Sequence, residues 1–211
     1  MNKEEFIRAV EELGININDY QLQQLNNFYK LLKEWNEKIN LTRIIEEKEV
    51  YLKHFYDSLT INKVVNLKTV KTLCDVGTGA GFPGIVLKIF FPNLKITLID
   101  SLQKRINYLN DVIEKLNLKD IEAIHSRGED FNNKYDVVTA RAVANIEKLV
   151  DYTMHLVKKD GIFVAMKGNI DNELNPEIKS KLSRRYQIVN IERFSLPKEE
   201  SIRSLVVLKN K

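Results

Sequence analysis

Four glycines lie within the eight residues Gly77 to Gly84, in the run Asp75-Val76-Gly77-Thr78-Gly79-Ala80-Gly81-Phe82-Pro83-Gly84. The apolar stretch before it, Val70 to Cys74, reads as a buried strand, and Ile85 to Phe91 reads as the start of a buried helix. Glycines at such a junction let backbone come close to a ligand where a Cβ would block it. A strand, a glycine turn and a helix in that order point to an α/β fold whose site lies at the carboxyl ends of the strands.

Gly79-x-Gly81-x-x-Gly84 satisfies the dinucleotide fingerprint, so the glycines alone do not name the ligand. Asp75, at the carboxyl end of the strand, would set a negative charge against a pyrophosphate but favour the ammonium of a methionine moiety. Asp100 closes the next apolar segment, Ile96 to Ile99, where a carboxylate accepts hydrogen bonds from both ribose hydroxyls. This order of acid, glycine turn and acid fits S-adenosylmethionine better than NAD. A dinucleotide site, or a tight turn flanked by two incidental acids, is the alternative.

The rest of the chain sets that unit in context. Phe6, Ile7, Val10 and Leu13 have helical spacing and Gly14 ends that helix. A longer helix is expected from Asp19 to about Glu37, with Asn18 or Asp19 as its N-cap. Two more are expected over Glu46 to His54 and Asp57 to Asn66. The first 66 residues carry no strand signal and read as a helical N-terminal cap, residues 1–66, ahead of a catalytic domain, 67–211. From Lys71 strands and helices alternate. Strands are expected at Lys71–Val76, Lys95–Asp100, Ile121–His125, Tyr135–Ala140 and Ile162–Met166, and helices at 83–91, Lys104–Leu116, 145–157 and 174–184. Strands at 186–193 and 202–209 follow, joined by a short hairpin-like link. Such spacing implies a mainly parallel sheet with right-handed crossovers, ending in an antiparallel pair. That is the class I methyltransferase (Rossmann-like) arrangement.

Composition narrows the function. No apolar run is long enough to span a bilayer, and Met1 to Arg8 is charged without an apolar signal core, so a cytoplasmic protein is expected. Cys74 is the only cysteine, which excludes an internal disulfide and a zinc cluster. No metal is expected: His54, His125 and His155 have no metal-like neighbours in sequence. Of the net charge of +4, the segment from Pro176 onward carries nine Lys and Arg against four Glu. A basic end on a near-neutral body suits an RNA-binding enzyme, and is also common in ordinary proteins.

Further candidates follow from strand ends. Ser101 comes directly after Asp100. In Arg127-Gly128-Glu129 the glycine permits close approach and Glu129 suits an adenine edge; a surface Arg/Glu pair is an equal reading. Arg141, at the end of the fourth strand, needs a partner, which could be the cofactor carboxylate, a phosphate or a nearby Glu. Lys167-Gly168 closes the fifth strand and faces the same crevice, or is a solvated lysine. His54 reads as hydrogen-bonded to Asp57 or to a loop carbonyl.

Taken together, these residues resemble the bacterial RsmG (GidB) family almost end to end. The resemblance rests on Trp35-Asn36…Asn40-Leu41-Thr42, His54…Asp57-Ser58-Leu59, the Asp75 to Gly84 run, Asp100-Ser101 with Lys104-Arg105, Arg127-Gly128-Glu129, Arg141-Ala142 and Lys167-Gly168. It implies S-adenosylmethionine-dependent methylation of N7 of a guanine in 16S ribosomal RNA, in free RNA or the small ribosomal subunit. It implies cofactor contacts at Gly77, Phe82, Gly128, Glu129 and Arg141, beside those read above for Asp75, Gly79, Asp100 and Ser101. Arg141 is expected to position cofactor and target base, and Lys167 with the C-terminal basic residues to hold RNA. Thr78 stands where the family often has Ser, and Gly128 where a residue with a Cβ is usual. A monomer is the default expectation. Without the resemblance, a methyltransferase for a small molecule or protein, or a non-catalytic RNA-binding protein, would fit the same residues.

Overall fold

The computed structural model describes residues 1–141 and 144–211. Helices α1 (Lys3–Glu12) and α2 (Asp19–Ile39) open the chain. Each starts on an asparagine whose side chain accepts a backbone N–H while the third helical residue, Glu5 or Gln21, bonds back. Such reciprocal caps satisfy donors that a helix start leaves open. Asn40, in the left-handed region at φ 50°, ends α2.

The next segment departs from the expected pair of helices. α3 (Glu47–Val50), a π-turn over Tyr51–Tyr56, α4 (Asp57–Leu59) and a 3-10 turn over Thr60–Lys63 form one continuous helical run. Polar His54 and Asp57 make the sequence read as a linker. Both are buried, and partners from distant segments satisfy them.

Strands β1 (Thr72–Val76), β2 (Lys95–Asp100), β3 (Ile121–His125), β4 (Tyr135–Arg141) and β5 (Val157–Lys167) are parallel to one another. Helices α5 (Gly84–Phe90), α6 (Gln103–Lys115) and α7 (Ile146–Thr153) connect them, and α8 (Pro176–Arg185) leads to the last two strands. These are β6 (Tyr186–Ser195) and β7 (Ile202–Asn210), and β7 runs antiparallel between β5 and β6. The order is β3-β2-β1-β4-β5-β7-β6. Strand order reverses between β1 and β4, the point at which such sheets bind ligands.

β5 begins earlier than the sequence suggests. Val157 pairs with Tyr135 and Ile162 with Val137, so 158–161 bulge from the ladder. Lys-Lys-Asp-Gly reads as a turn, but it belongs to the strand. A Cβ on Gly161 would lie 2.8 Å from the carbonyl oxygens of Tyr135 and Asp136.

One apolar cluster joins α1, α2, the π-turn, α5 and α6 to one sheet face; a second sits under α7 and α8 on the other. The N-terminal helices therefore share a core with the sheet. Phe28 of α2 stacks on Phe55 of the π-turn at 5.7 Å and meets Phe82 at 5.3 Å. Trp35 Nε1 donates to Asp111 of α6 at 2.7 Å. Among the described residues no helix is long and apolar enough to cross a membrane. Because Phe28 is fully buried, Phe28→Ala should cost about 3–5 kcal/mol in urea unfolding. A loss below about 1 kcal/mol would mean that α2 is outside the cooperative core.

Candidate functional site

A cavity of about 860 Å³ lies over the carboxyl ends of the strands at the switch point. That is within the usual size range of small-molecule sites. The glycine turn borders one end. Gly77 and Thr78 N–H groups donate to the carbonyl of Ile99 at 2.8 and 3.1 Å, which fixes the turn to β2. Gly77, Gly79 and Gly81 all have positive φ, a conformation that side chains disfavour.

Two carboxylates brace this turn from below and beside it. Asp75 is completely buried and stands beneath the turn, off the cavity wall. Its Oδ2 accepts from Thr78 Oγ1 at 2.7 Å and from the Gly84 N–H at 2.9 Å. Among the described residues Oδ1 has no partner. Burial outweighs these bonds and raises the Asp75 pKa to about 6. Asp100 does border the cavity. It accepts from the N–H groups of Gly79 and Leu102, each at 3.0 Å, and from Arg105 at 3.1 Å. Ser101 is exposed at the rim, its carbonyl accepting from His125 Nε2 at 3.0 Å.

The opposite wall comes from the π-turn, β4 and β7. Arg141 Nη1 donates to the Lys53 carbonyl at 3.0 Å and to Asp57 Oδ2 at 3.1 Å. Its Nη2 lies 3.2 Å from His54 Nδ1, and its guanidinium sits 5.2 Å from the centre of the Phe82 ring. His54 stacks on Phe82 at 4.4 Å, and its Nε2 is 3.0 Å from Thr42 Oγ1. Burial first and the Arg141 charge second push the His54 pKa down to about 3, so the ring is neutral. A π-turn places the Lys53 carbonyl, His54 and Asp57 together around one guanidinium, a use typical of such turns at functional sites.

Lys167 is less free than a phosphate-binding lysine would be. Its ammonium donates to the Ala144 carbonyl at 2.6 Å and pairs with Glu173 at 2.8 Å. Gly77, Gly79, Phe82, Asp100, Ser101, Arg141 and Lys167 thus meet at one cavity. Gly128 and Glu129 do not border it. Gly128 packs where a Cβ would come 2.9 Å from Val76 Cγ1 and 3.0 Å from the Tyr152 carbonyl, which accounts for glycine in this chain. Glu129 is exposed. Ala142 of the Arg141-Ala142 pair lies outside the described residues.

The model of the family described as rRNA small subunit methyltransferase G matches residues 21–205. The chain belongs to that family. It is 47% identical over 216 residues to the ribosomal RNA small subunit methyltransferase G of Bacillus subtilis (strain 168), covering 99% of this chain and 90% of that protein. It is 46% identical over 218 residues to the Bacillus pumilus protein of the same name, covering 100% and 91%. Solved structures share the fold at low identity. A ribosomal protein L11 methylase from Lactobacillus delbrueckii subsp. bulgaricus aligns with a TM-score of 0.56 at 19% identity, covering 74% of this chain and 76% of that one. The precorrin-6y C5,15-methyltransferase of Geobacter metallireducens aligns with a TM-score of 0.53 at 14% identity, covering 71% and 88%. The class I methyltransferase architecture is therefore established.

For this family member, sequence reading identifies Arg141 but not its partners, because Asp57 and His54 lie more than eighty residues away. It also misses Arg203 of β7, whose Nε is 3.4 Å from Asp57 Oδ1. Only its place at the start of a strand facing the same crevice could have drawn attention to it.

The two shifted groups make opposite demands on pH. The raised Asp75 pKa favours the protonated native state, so its contribution is complete below about pH 4 and is lost as pH rises through 6. The lowered His54 pKa favours the neutral ring, so its contribution is present above about pH 6.5 and is lost as pH falls toward 3. Asp75→Asn should gain about 3 kcal/mol on the native protein between pH 4 and pH 7, and His54→Gln should gain in the acid direction. Urea unfolding at pH 4, 5.5 and 7 checks both; pH curves parallel to the native one would refute the assignment.

Proposed function

We propose that this chain transfers a methyl group from S-adenosylmethionine to N7 of a guanine in 16S ribosomal RNA, acting in the cytoplasm on free RNA or the small ribosomal subunit. The observation that supports this most is the single cavity joining the glycine turn and Asp100 at one end to Arg141 and Arg203 at the other, in a chain of this family.

The residues present fit the cofactor. The turn offers backbone at Gly77 and Gly79 with no Cβ in the way, and Asp100 presents a fixed carboxylate at the end of β2 beside Ser101. S-adenosylmethionine, when bound, supplies a sulfonium methyl group. Asp75 serves the site through the turn it holds, and Phe82 provides the wall between turn and arginine. The helical cap, 1–66, closes the cavity over the methyltransferase domain, 67–211, with Thr42 and His54. Gly128 and Glu129 stand behind the wall, so any contribution they make to cofactor binding is through the β3 end.

Guanine N7 carries an in-plane lone pair and no proton, so the chain needs no general base. Its work is alignment. Arg141 is held by the Lys53 carbonyl and Asp57 and stacked on Phe82, which gives it a fixed direction for binding an oxygen. The neutral His54 adds no second positive charge beside a reaction that delivers positive charge to the base. Lys167 ties the end of β5 to the Ala144 carbonyl and to Glu173. The target base must leave its stack to enter this cavity.

Labelled S-adenosylmethionine offered with small-subunit RNA, and with small subunits from cells lacking the modification, tests the reading. Label is expected at one guanine N7. No label in either substrate, with cofactor binding shown by calorimetry, would refute the RNA assignment. Arg141→Lys keeps the charge but loses the fork that Asp57 and Lys53 hold, and should lower kcat roughly 100-fold with unchanged melting. An unchanged kcat would remove Arg141 from the alignment role.

A further inference from the structure

Two sequence runs far apart in the fold's local pattern, Trp35-Asn36…Asn40-Leu41-Thr42 and His54…Asp57-Ser58-Leu59, meet in space at one hydrogen bond. Asn36, near the end of α2, accepts the Thr42 N–H on Oδ1 at 2.8 Å, and Asn40 turns the chain through the left-handed region just before it. The Thr42 hydroxyl oxygen accepts the Ile44 N–H at 3.1 Å and lies 3.0 Å from His54 Nε2. Thr42, His54 and Arg141 all border the cavity. The loop after α2 thus presents one hydroxyl to the ring that lies against Arg141.

The His54 ring is neutral, so one nitrogen carries a hydrogen and the other a lone pair. Nδ1 has two neighbours that ask for opposite states. The Lys53 carbonyl, at 3.1 Å, could only take a hydrogen from it; Arg141 Nη2, at 3.2 Å, can only give one to it. The Lys53 carbonyl already accepts from Arg141 Nη1 at 3.0 Å and is satisfied without the ring. A hydrogen on Nδ1 would set two donors against each other beside a permanent cation. The lone pair therefore belongs on Nδ1 and the hydrogen on Nε2, facing Thr42. A hydroxyl oxygen has two acceptor sites, and those of Thr42 take the Ile44 N–H and the Nε2 hydrogen.

We propose that Thr42 is a positioning residue for methyl transfer: by accepting from Nε2 it holds His54 in the tautomer that receives Arg141, and so fixes the direction of the guanidinium. This rests on the RNA-methylation reading above, in which Arg141 aligns the reactants. Asp57 and the Lys53 carbonyl both hold Nη1, which leaves the planar fork free to turn about that atom. The bond from Nη2 to the ring is the second point that fixes its plane. Without the hydroxyl, the Nε2 hydrogen of this buried ring would have no acceptor. The hydrogen would move to Nδ1, where the Lys53 carbonyl can take it, and the ring would repel Nη2 instead of holding it.

The test is Thr42→Val, which is isosteric, beside Thr42→Ser, in the full-length chain with methyl-deficient small subunits as substrate. Nitrogen NMR of the His54 ring, assigned by its loss in His54→Gln, reads the tautomer. In the native protein Nε2 should carry the hydrogen. In Val the hydrogen should move to Nδ1 and kcat should fall on the order of tenfold, with KM for the subunit unchanged. Ser keeps the hydroxyl and should restore both tautomer and kcat, which a loss of packing alone would not produce. A hydrogen on Nδ1 in the native protein overturns the proposal, and that measurement stands whether or not Val folds. So does a folded Val variant that keeps the native tautomer, or one that changes tautomer and keeps the native kcat. If native protein labels no guanine, the failure lies with the RNA reading; if native protein labels and Val labels at the native rate, it lies with Thr42.

Discussion

One buried carboxylate, that of Asp57, ties the site together. It comes from the N-terminal helical run, and it binds Arg141 of β4 and Arg203 of β7. These three segments are distant in sequence and meet on one wall of the cavity, facing the glycine turn. Removing Asp57 would leave two guanidinium groups without their shared carboxylate, a loss of about 3–5 kcal/mol. Two ion pairs to one carboxylate thus join the three segments at the site, while Phe28, Phe55 and Phe82 supply the apolar support behind them.

The glycine turn depends on a different kind of constraint. Asp75 is held in a place where ionisation is disfavoured, and among the described residues only one of its two oxygens has partners. A neutral, isosteric side chain would satisfy the local packing better at neutral pH. The chain retains a carboxylate whose acceptor oxygen pins both ends of the loop, Thr78 and Gly84.

The parallel sheet, its hairpin end and the glycine turn were legible because each rests on local pattern: β-branched runs, helical spacing and glycines at a strand end. Asp100, Arg141 and Lys167 come together at the cavity for the same reason, since strand ends in such folds converge, whereas Asp75 of β1 lies beneath the turn and off the cavity wall. What the sequence could not show was pairing across space. The sequence pairs His54 with Asp57 or a loop carbonyl; its polar neighbours are the Lys53 carbonyl of the π-turn at 3.1 Å, Thr42 and Arg141. The π-turn was invisible because a run of six residues with i→i+5 bonds has no distinct composition. Lys-Lys-Asp-Gly at 158–161 carries the signature of a turn, and only pairing with β4 turns it into a bulge. Arg203 lies in a strand whose alternation says nothing about charge balance elsewhere.

The sheet order carries a consequence for how the molecule comes into being. β7 lies between β5 and β6, although it is the last strand in the chain. Until Ile202 to Asn210 have been synthesised, β5 has an open outer edge and β6 has no strand beside it. An unpaired edge is the part of a sheet most prone to bind another chain. The same late strand brings Arg203 and Ser204 to the cavity. Closing the sheet and completing the charged wall are therefore one event, and a chain that has not yet closed its exposed edge has no finished site.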